Sequence, residues 1–225
     1  VVMEMNTHQK LIILLSTDLT IAKKGKISMV TFVLQTLIFI AFMNLANAAS
    51  PKEEAIRALA RGDYAAQLKI VTPLAKKGEA WAQTMIGKNY GDGNGVKQNY
   101  MEALKWFRLA AAQGDAAAQF ILGSMYGNGQ GVPQDYQEAM KWFPLAAAQG
   151  DLDAQFNMGV MYAKGLGVKP DLVKAHMWFN LAASKGVSDG IKSREIVAQQ
   201  LTSEGLAAAQ KLARECLARN FKGCD

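Results

Sequence analysis

Few side chains in this sequence have the type and spacing needed for acid–base or covalent chemistry. His176 is the only histidine after residue 48, and Leu104 and Met140 stand 72 and 36 residues before it. A position that corresponds to leucine and methionine indicates a packing histidine rather than a general base. Ser184 and Ser188 lie nearby, but without the strained strand-to-helix turn of a nucleophile elbow. The sequence therefore predicts no catalytic residue and no enzymatic activity.

The glycine-rich segment Gly91–Gly95 has the composition of a loop that binds phosphate or calcium. No strand precedes it, and no Gly-Lys-Ser/Thr follows, as a phosphate-binding loop requires. Asp92 and Asn94 are possible calcium ligands, but 36 residues later their positions hold Asn128 and Gln130. A ligand set that is lost between copies is not a shared metal site. We expect a turn here, with no metal and no cofactor.

Cys216 and Cys224 are the two cysteines of the chain and lie eight positions apart near its end. In an oxidising compartment, so close a pair is expected to form a disulfide that ties the last helix to the C-terminus. The alternative is a reactive redox pair, for which Cys-x-x-Cys is the usual spacing.

Composition predicts a globular chain with no nucleic-acid partner. The 225 residues are 50% apolar, and 25 basic residues against 19 acidic ones give a net charge of +6. Nucleic-acid binding needs a concentrated basic patch, whereas these charges are scattered.

Residues 1–48 are predicted to be an N-terminal extension and signal peptide. Met29–Leu45 carries no charge, Lys23, Lys24 and Lys26 precede it, and Ala46-Asn47-Ala48 follows it. A cationic region, an apolar region and an A-x-A end predict cleavage after Ala48 and export. An uncleaved membrane anchor is the alternative, although 17 residues is at the short limit of a span. With cleavage, we expect a periplasmic or secreted protein with no membrane contact.

A 36-residue period organises the rest of the chain. It relates glycines, tyrosines, valines and a Trp-Phe pair in three copies, which cover residues 80–115, 116–151 and 152–187: Gly87, Gly123, Gly159; Tyr90, Tyr126, Tyr162; Val96, Val132, Val168; Trp106, Trp142, Trp178; Phe107, Phe143, Phe179. Each copy predicts two helices joined by a glycine-rich turn. The fold class is therefore all-α, a solenoid of antiparallel helix-turn-helix repeats whose stacked copies share a core.

The two ends of the array are predicted to be caps. Residues 49–79 contain an N-terminal helix pair, Lys52–Arg61 and Tyr64–Gly78, and residues 188–225 contain Ile191–Gln200 and Ser203–Asn220. Asn99, Asp135 and Asp171 precede the second helix of each repeat and are expected to be its N-caps, with Ser203 in that role in the last helix.

Two residue types inside predicted helices require a packing explanation. Glycine in a helix interior costs about 1 kcal/mol relative to alanine. Gly87, Gly123 and Gly159 therefore predict a close approach to a neighbouring helix, with Trp or Tyr in the adjacent space. Pro144 removes a hydrogen bond from the second helix of its repeat and predicts a kink there.

The repeated pattern resembles the Sel-one-like repeat (SLR) family of tetratricopeptide-like (TPR-like) proteins. The resemblance rests on Ala82–Val96 with Ala103–Gly114, and on the same pattern 36 and 72 residues later. It implies a superhelix of helix pairs that binds proteins, and in bacteria an exported adaptor, regulator or host-interaction factor. Some cysteine-rich members are β-lactam-binding hydrolases, but the repeats of this chain contain no cysteine.

An outward stripe on the first helices is the candidate site for a protein or peptide partner. It comprises Trp81, Thr84, Met85, Lys88, Phe120, Ile121, Ser124, Phe156, Asn157 and Val160. Its apolar side chains predict either a binding groove or burial between neighbouring hairpins. We expect a binding scaffold without chemistry of its own; the alternatives are an exported hydrolase of cell-wall or β-lactam compounds and a structural envelope component.

Overall fold

The computed structural model describes residues 49–224, together with Leu34 and Leu37. The chain divides into two compact units, residues 1–50 and 51–225. Apart from Leu34 and Leu37, the signal peptide predicted over residues 1–48 lies outside the described residues.

The second unit is built entirely from helices within its described part. They are α1 (Pro51–Ala60), α2 (Tyr64–Lys76), α3 (Ala80–Asp92), α4 (Tyr100–Ala112), α5 (Ala116–Asn128), α6 (Tyr136–Ala147), α7 (Leu152–Lys164), α8 (Leu172–Ala183), α9 (Ser188–Ala198) and α10 (Ser203–Ala218). We call α3, α5 and α7 the A helices and α4, α6 and α8 the B helices. Each helix packs against the next one along the chain through α9, as in an α-solenoid. The predicted fold class is confirmed.

The start and end of each repeat helix follow from single residues. The side chains of Asn99, Asp135 and Asp171 accept hydrogen bonds from backbone N–H groups in the first turn of α4, α6 and α8, as predicted. The A helices end at glycines in the left-handed conformation, for example Gly93 with φ of 75°. The prediction for α10 was wrong by one position, because Thr202 and not Ser203 is the N-cap.

The mid-helix glycines allow each A helix to approach the B helix of its own repeat. A Cβ atom at Gly87, Gly123 or Gly159 would lie 2.7, 2.7 or 2.5 Å from the phenylalanine ring of the same repeat. The close approach was predicted correctly, but its aromatic partner was not. Phenylalanine, rather than Trp or Tyr, fills the space, because it is the member of each Trp-Phe pair that faces the A helix.

Pro144 does not break α6. The helix is continuous through it, and the Ala148 N–H bonds to the Pro144 carbonyl at 2.9 Å. Pro73 is accommodated within α2 in the same way. The kink at Pro144 stays a prediction.

The C-terminal cap ends in a short hook closed by a disulfide. Cys216 and Cys224 are bonded, and both side chains are buried. Between them the backbone of Asn220 and Phe221 takes positive φ angles of 49° and 64°. The Phe221 ring lies 3.6 Å from where a Cβ would stand on Gly150, at the turn before α7. The hook therefore places the end of the chain against the turn between the second and third repeats.

Among the described residues, no helix combines the length and apolar character needed to cross a membrane.

Candidate binding face of the repeat array

The predicted stripe lies along the A helices, and most of it is half-buried. Of its ten residues, eight are half-buried, Lys88 is exposed and Thr84 is buried. The sequence left open whether this stripe is a groove or an interior surface. The structure gives a different answer at different positions along it.

The two stripe phenylalanines belong largely to the interior. The Phe120 ring packs on Phe143 with 6.0 Å between centroids, and the Phe156 ring packs on Phe179 at 5.5 Å. Both pairs are tilted, an arrangement that aromatic rings favour. The Phe120 and Phe156 rings pack against the phenylalanines of the B helices, so only part of their surface is available to a partner.

Thr84 is not available to a partner, contrary to its inclusion in the stripe. Its hydroxyl lies 3.0 Å from Asp115 Oδ1 and 3.1 Å from the Ala80 carbonyl, and the side chain is buried. Asp115 is also the N-cap of α5. Thr84 therefore connects α3 to the N-terminus of α5 through Asp115.

The N-terminal helix pair covers part of the stripe in the first repeat. The Lys52 ammonium lies 5.8 Å from the centre of the Trp81 ring, a cation–π contact. The Met85 sulfur is 3.9 Å from Gln67 Nε2. Trp81 and Met85 are thus shared between the surface and the junction with α1 and α2.

An open cleft of about 560 Å³ lies between the first and second repeats. Its α3 side carries Lys88 and Asp92, both exposed, and its α5 side carries Ile121 and Met125. Phe107 of α4 lies at its base, mostly covered. The volume is within the range of small-ligand sites, and one wall is charged while the other is apolar.

A hydrogen-bonded pair forms the polar edge of this cleft. Gln98 Nε2 donates to the Gly91 carbonyl at 2.8 Å and lies 3.1 Å from the Tyr100 hydroxyl. Tyr100 is 38% exposed and lines the cleft, although its helical register, three positions before the buried Ala103, indicates an interior position.

Of the residues that line the cleft, only Lys88 and Ile121 belong to the stripe predicted from the sequence. The missed positions include Asp92 and Gln130, which are polar and exposed. A signal for them was present, since both positions change between copies: Asp92 becomes Asn128, and Gln130 becomes Leu166. Positions that vary within a strictly periodic array are not fixed by packing.

Buried glutamines connect successive repeats. Gln83, Gln119 and Gln155 each donate to a carbonyl at the end of the preceding helix (α2, α4 and α6), at 3.2, 3.2 and 3.3 Å. The first two also accept from Gln113 and Gln149, both at 2.8 Å. Lys185 stands at the corresponding position of the third repeat, and Gln155 Oε1 is buried with no hydrogen-bond partner among the described residues.

His176 lies in the interior and not in a reactive position. Its side chain is 3% exposed, and its Nδ1 is buried without a hydrogen-bond partner in the described part of the chain. Burial lowers the pKa of His176, and the charge of Arg194 lowers it further. In the described residues, no cluster of three or more His, Cys, Asp or Glu side chains is arranged to hold a metal ion.

Comparisons with known proteins agree with this architecture. The Sel1 repeat family matches residues 82–115, 116–151 and 152–187. No curated protein matches the chain.

Solved structures similar to the chain include two repeat proteins. The structure of c5321, a protective antigen present in uropathogenic Escherichia coli strains that displays an SLR fold, is 29% identical with a TM-score of 0.65. That match covers 83% of this chain and 45% of c5321, so the chain spans under half of that relative's length. A Sel1 repeat protein from Oxalobacter formigenes is 25% identical, with a TM-score of 0.64 and coverage of 76% of this chain and 75% of its own. Residues 82–187 therefore consist of three Sel1 repeats.

Proposed function

We propose that this protein is an exported scaffold that holds a protein partner on the face formed by the A helices and performs no chemistry itself. Sel1 repeats generally mediate protein–protein interaction, which supports a scaffold role. The adaptor or regulatory role, and the partner's place in the periplasm or outside the cell, are parts of this proposal.

The observation that carries the proposal is the cleft between the first and second repeats. It combines exposed charges with apolar side chains, next to a stripe that is half-buried and not sealed. A binding surface needs an apolar centre that excludes water and a polar rim that orients the partner. The A-helix face has both features.

Export is supported by two separate features. Residues 23–48 have the order of charge, apolar segment and small residues that signal peptidase recognises. The Cys216–Cys224 disulfide fits an oxidising compartment.

Crosslinking in the producing cell tests the proposal. The tagged full chain is crosslinked in the intact envelope, purified and compared with two variants. Ile121→Glu places a charge in the cleft, and Leu145→Glu places the same charge on α6, where Leu145 is 47% exposed outside the stripe. We expect a specific partner that is lost with Ile121→Glu and kept with Leu145→Glu. Recovery of no specific partner, or equal loss with both variants, would contradict the proposal.

A further inference from the structure

The second gap of the array, between the second and third repeats, is a natural control for the cleft in the first gap. Packing positions are identical in the two gaps: Ala103 and Ala139, Phe107 and Phe143, Met125 and Met161. Four positions around the cleft differ: Lys88 becomes Ser124, Asp92 becomes Asn128, Ile121 becomes Asn157 and Gln130 becomes Leu166. Since the same fold accommodates both sets, stacking does not dictate the residues of the first cleft, and their chemistry is free to serve a ligand.

Asp92 carries a negative charge at a place in the fold where a negative charge is unfavourable. It is the last residue of α3, where the helix macrodipole places partial negative charge. Lys164, the corresponding residue of α7, has the charge that such a position prefers. Asp92 is exposed and makes no ion pair within the described residues. It is therefore suited to a cationic group supplied by a ligand.

Lys88 gives the same wall a positive charge one helical turn earlier. It is exposed and forms no ion pair with Asp92. Lysine before aspartate is the less favourable order for an i,i+4 pair. As far as the described residues show, the α3 wall thus presents a cation and an anion outside any ion pair, with their Cβ atoms about 5–6 Å apart.

The α5 wall of the cleft is apolar and suits an apolar side chain of a ligand. Ile121 and Met125 come from α5, and methionine adapts its shape to different apolar side chains. An extended peptide presents successive side chains to opposite sides, and every second side chain recurs after about 6.6 Å. That spacing is close to the separation of Lys88 and Asp92.

Resting on the proposed scaffold function, we propose that this cleft selects the partner by binding an extended peptide segment with an apolar side chain between an acidic and a basic one. The acidic side chain faces Lys88, the basic one faces Asp92, and the apolar one enters between Ile121 and Met125. Gln98 and Gln130 lie at the edge, where side-chain amides can bond to peptide backbone groups.

Panning and a repeat-swap variant test this assignment. A phage-displayed random dodecapeptide library is panned on the immobilised full chain, and the most enriched peptide is labelled with fluorescein for anisotropy. The swap variant K88S/D92N/I121N/Q130L gives the first gap the residues of the second. We expect enrichment of triplets with opposite charges on either side of an apolar residue, and at least tenfold weaker binding to the swap variant.

The reverse swap provides a gain of function. S124K/N128D/N157I/L166Q gives the second gap the residues of the first, and we expect the number of bound peptides per chain to rise from one to two. Circular dichroism and thermal unfolding are measured on both variants to establish that each is folded; if one is not, Ile121→Asn alone replaces the first swap and Asn157→Ile the second.

The outcomes separate this inference from the scaffold proposal. Enrichment of peptides without the pattern, no enrichment, or equal binding by wild type and swap variant would refute the inference. A cellular partner that crosslinks equally to wild type and swap variant would refute the cleft as the selector and leave the scaffold function standing. Absence of any specific crosslinked partner would refute the scaffold function itself.

Discussion

At the scale of single residues, the aromatic pairs show how far a periodic sequence constrains packing. The sequence predicts that Gly87 and its equivalents lie against a neighbouring helix, because only a close contact compensates for glycine in a helix interior. It does not reveal that Phe107 and not Trp106 makes this contact. Adjacent helical residues point about 100° apart, and which of the two faces the A helix depends on the rotation of the B helix.

Substitution of Gly123 by alanine is predicted to destabilise the protein. The new Cβ would lie 2.7 Å from the Phe143 ring, and overpacking of this kind costs about 1–3 kcal/mol, which exceeds the helix-propensity gain of about 1 kcal/mol. Gly127→Ala in the same helix is the control, because its Cβ would meet only Ala139 at 3.9 Å. Urea unfolding should give a lower midpoint for Gly123→Ala and an equal or higher one for Gly127→Ala. Equal behaviour of the two variants would contradict the packing described for Phe143.

His176 is predicted to make stability depend on pH. Its pKa is lowered in the folded state by burial and by Arg194, so the unfolded chain binds more protons below about pH 6.5. Stability is therefore complete above that pH and is lost as pH falls toward the folded-state pKa. His176→Met introduces the residue found at the equivalent position 140 and should weaken this dependence. The measurement is the unfolding midpoint between pH 7.5 and 5; equal pH profiles for wild type and variant would contradict it.

At the scale of helices, capping was the most predictable feature and inter-helix polar contacts were the least. Asn99, Asp135 and Asp171 could be assigned as caps because a capping residue bonds to backbone groups two or three positions away. The contact from Gln149 to Gln119 spans 30 residues and becomes visible only when the helices are paired in space. Thr84 illustrates the same difficulty, since its partner Asp115 lies 31 residues later, at the N-cap of α5.

Lys185→Gln is predicted to stabilise the third repeat. A glutamine there can donate to Gln155 Oε1, as Gln149 donates to Gln119, and an unsatisfied buried acceptor costs about 1–3 kcal/mol. The reciprocal variant Gln149→Lys should destabilise the second repeat by a similar amount. Thermal unfolding of both variants checks the prediction. An unchanged or lower midpoint for Lys185→Gln would contradict the idea that the unpaired Gln155 Oε1 reduces the stability of the third repeat.

At the scale of the whole repeat array, the period of 36 residues was sufficient to predict an all-α stack with caps at both ends. The cleft could not be predicted in the same way, because it belongs to no single repeat. Phe107 comes from a B helix, Lys88 from the A helix before it and Ile121 from the A helix after it. Their juxtaposition depends on how two copies stack, and Lys88 and Ile121 were found only as members of an outward stripe.

Removal of the disulfide is predicted to loosen the C-terminal end selectively. On the chain-entropy account, closing a loop as short as that between Cys216 and Cys224 contributes about 2–3 kcal/mol. In a stacked array, stability is a sum of local terms, so C216S/C224S should increase hydrogen exchange most in α10. Hydrogen exchange with mass spectrometry checks this, with α3 and α4 as internal controls. A uniform increase along the chain would contradict the local character of the hook.

Glutamine contacts tie the B helix to the A helix in the first two repeats, and tie each A helix to the helix before it. They have a consequence for how such an array can lengthen. Every joint between copies uses donors and acceptors that each copy carries itself, at identical offsets. If a whole copy were duplicated between two existing copies, its donors and acceptors would match those of the helices on both sides. If only part of a copy were inserted, the glutamine amide groups would face apolar side chains. Growth by whole copies would also multiply gaps, and each new gap could acquire its own side-chain chemistry without disturbing the joints.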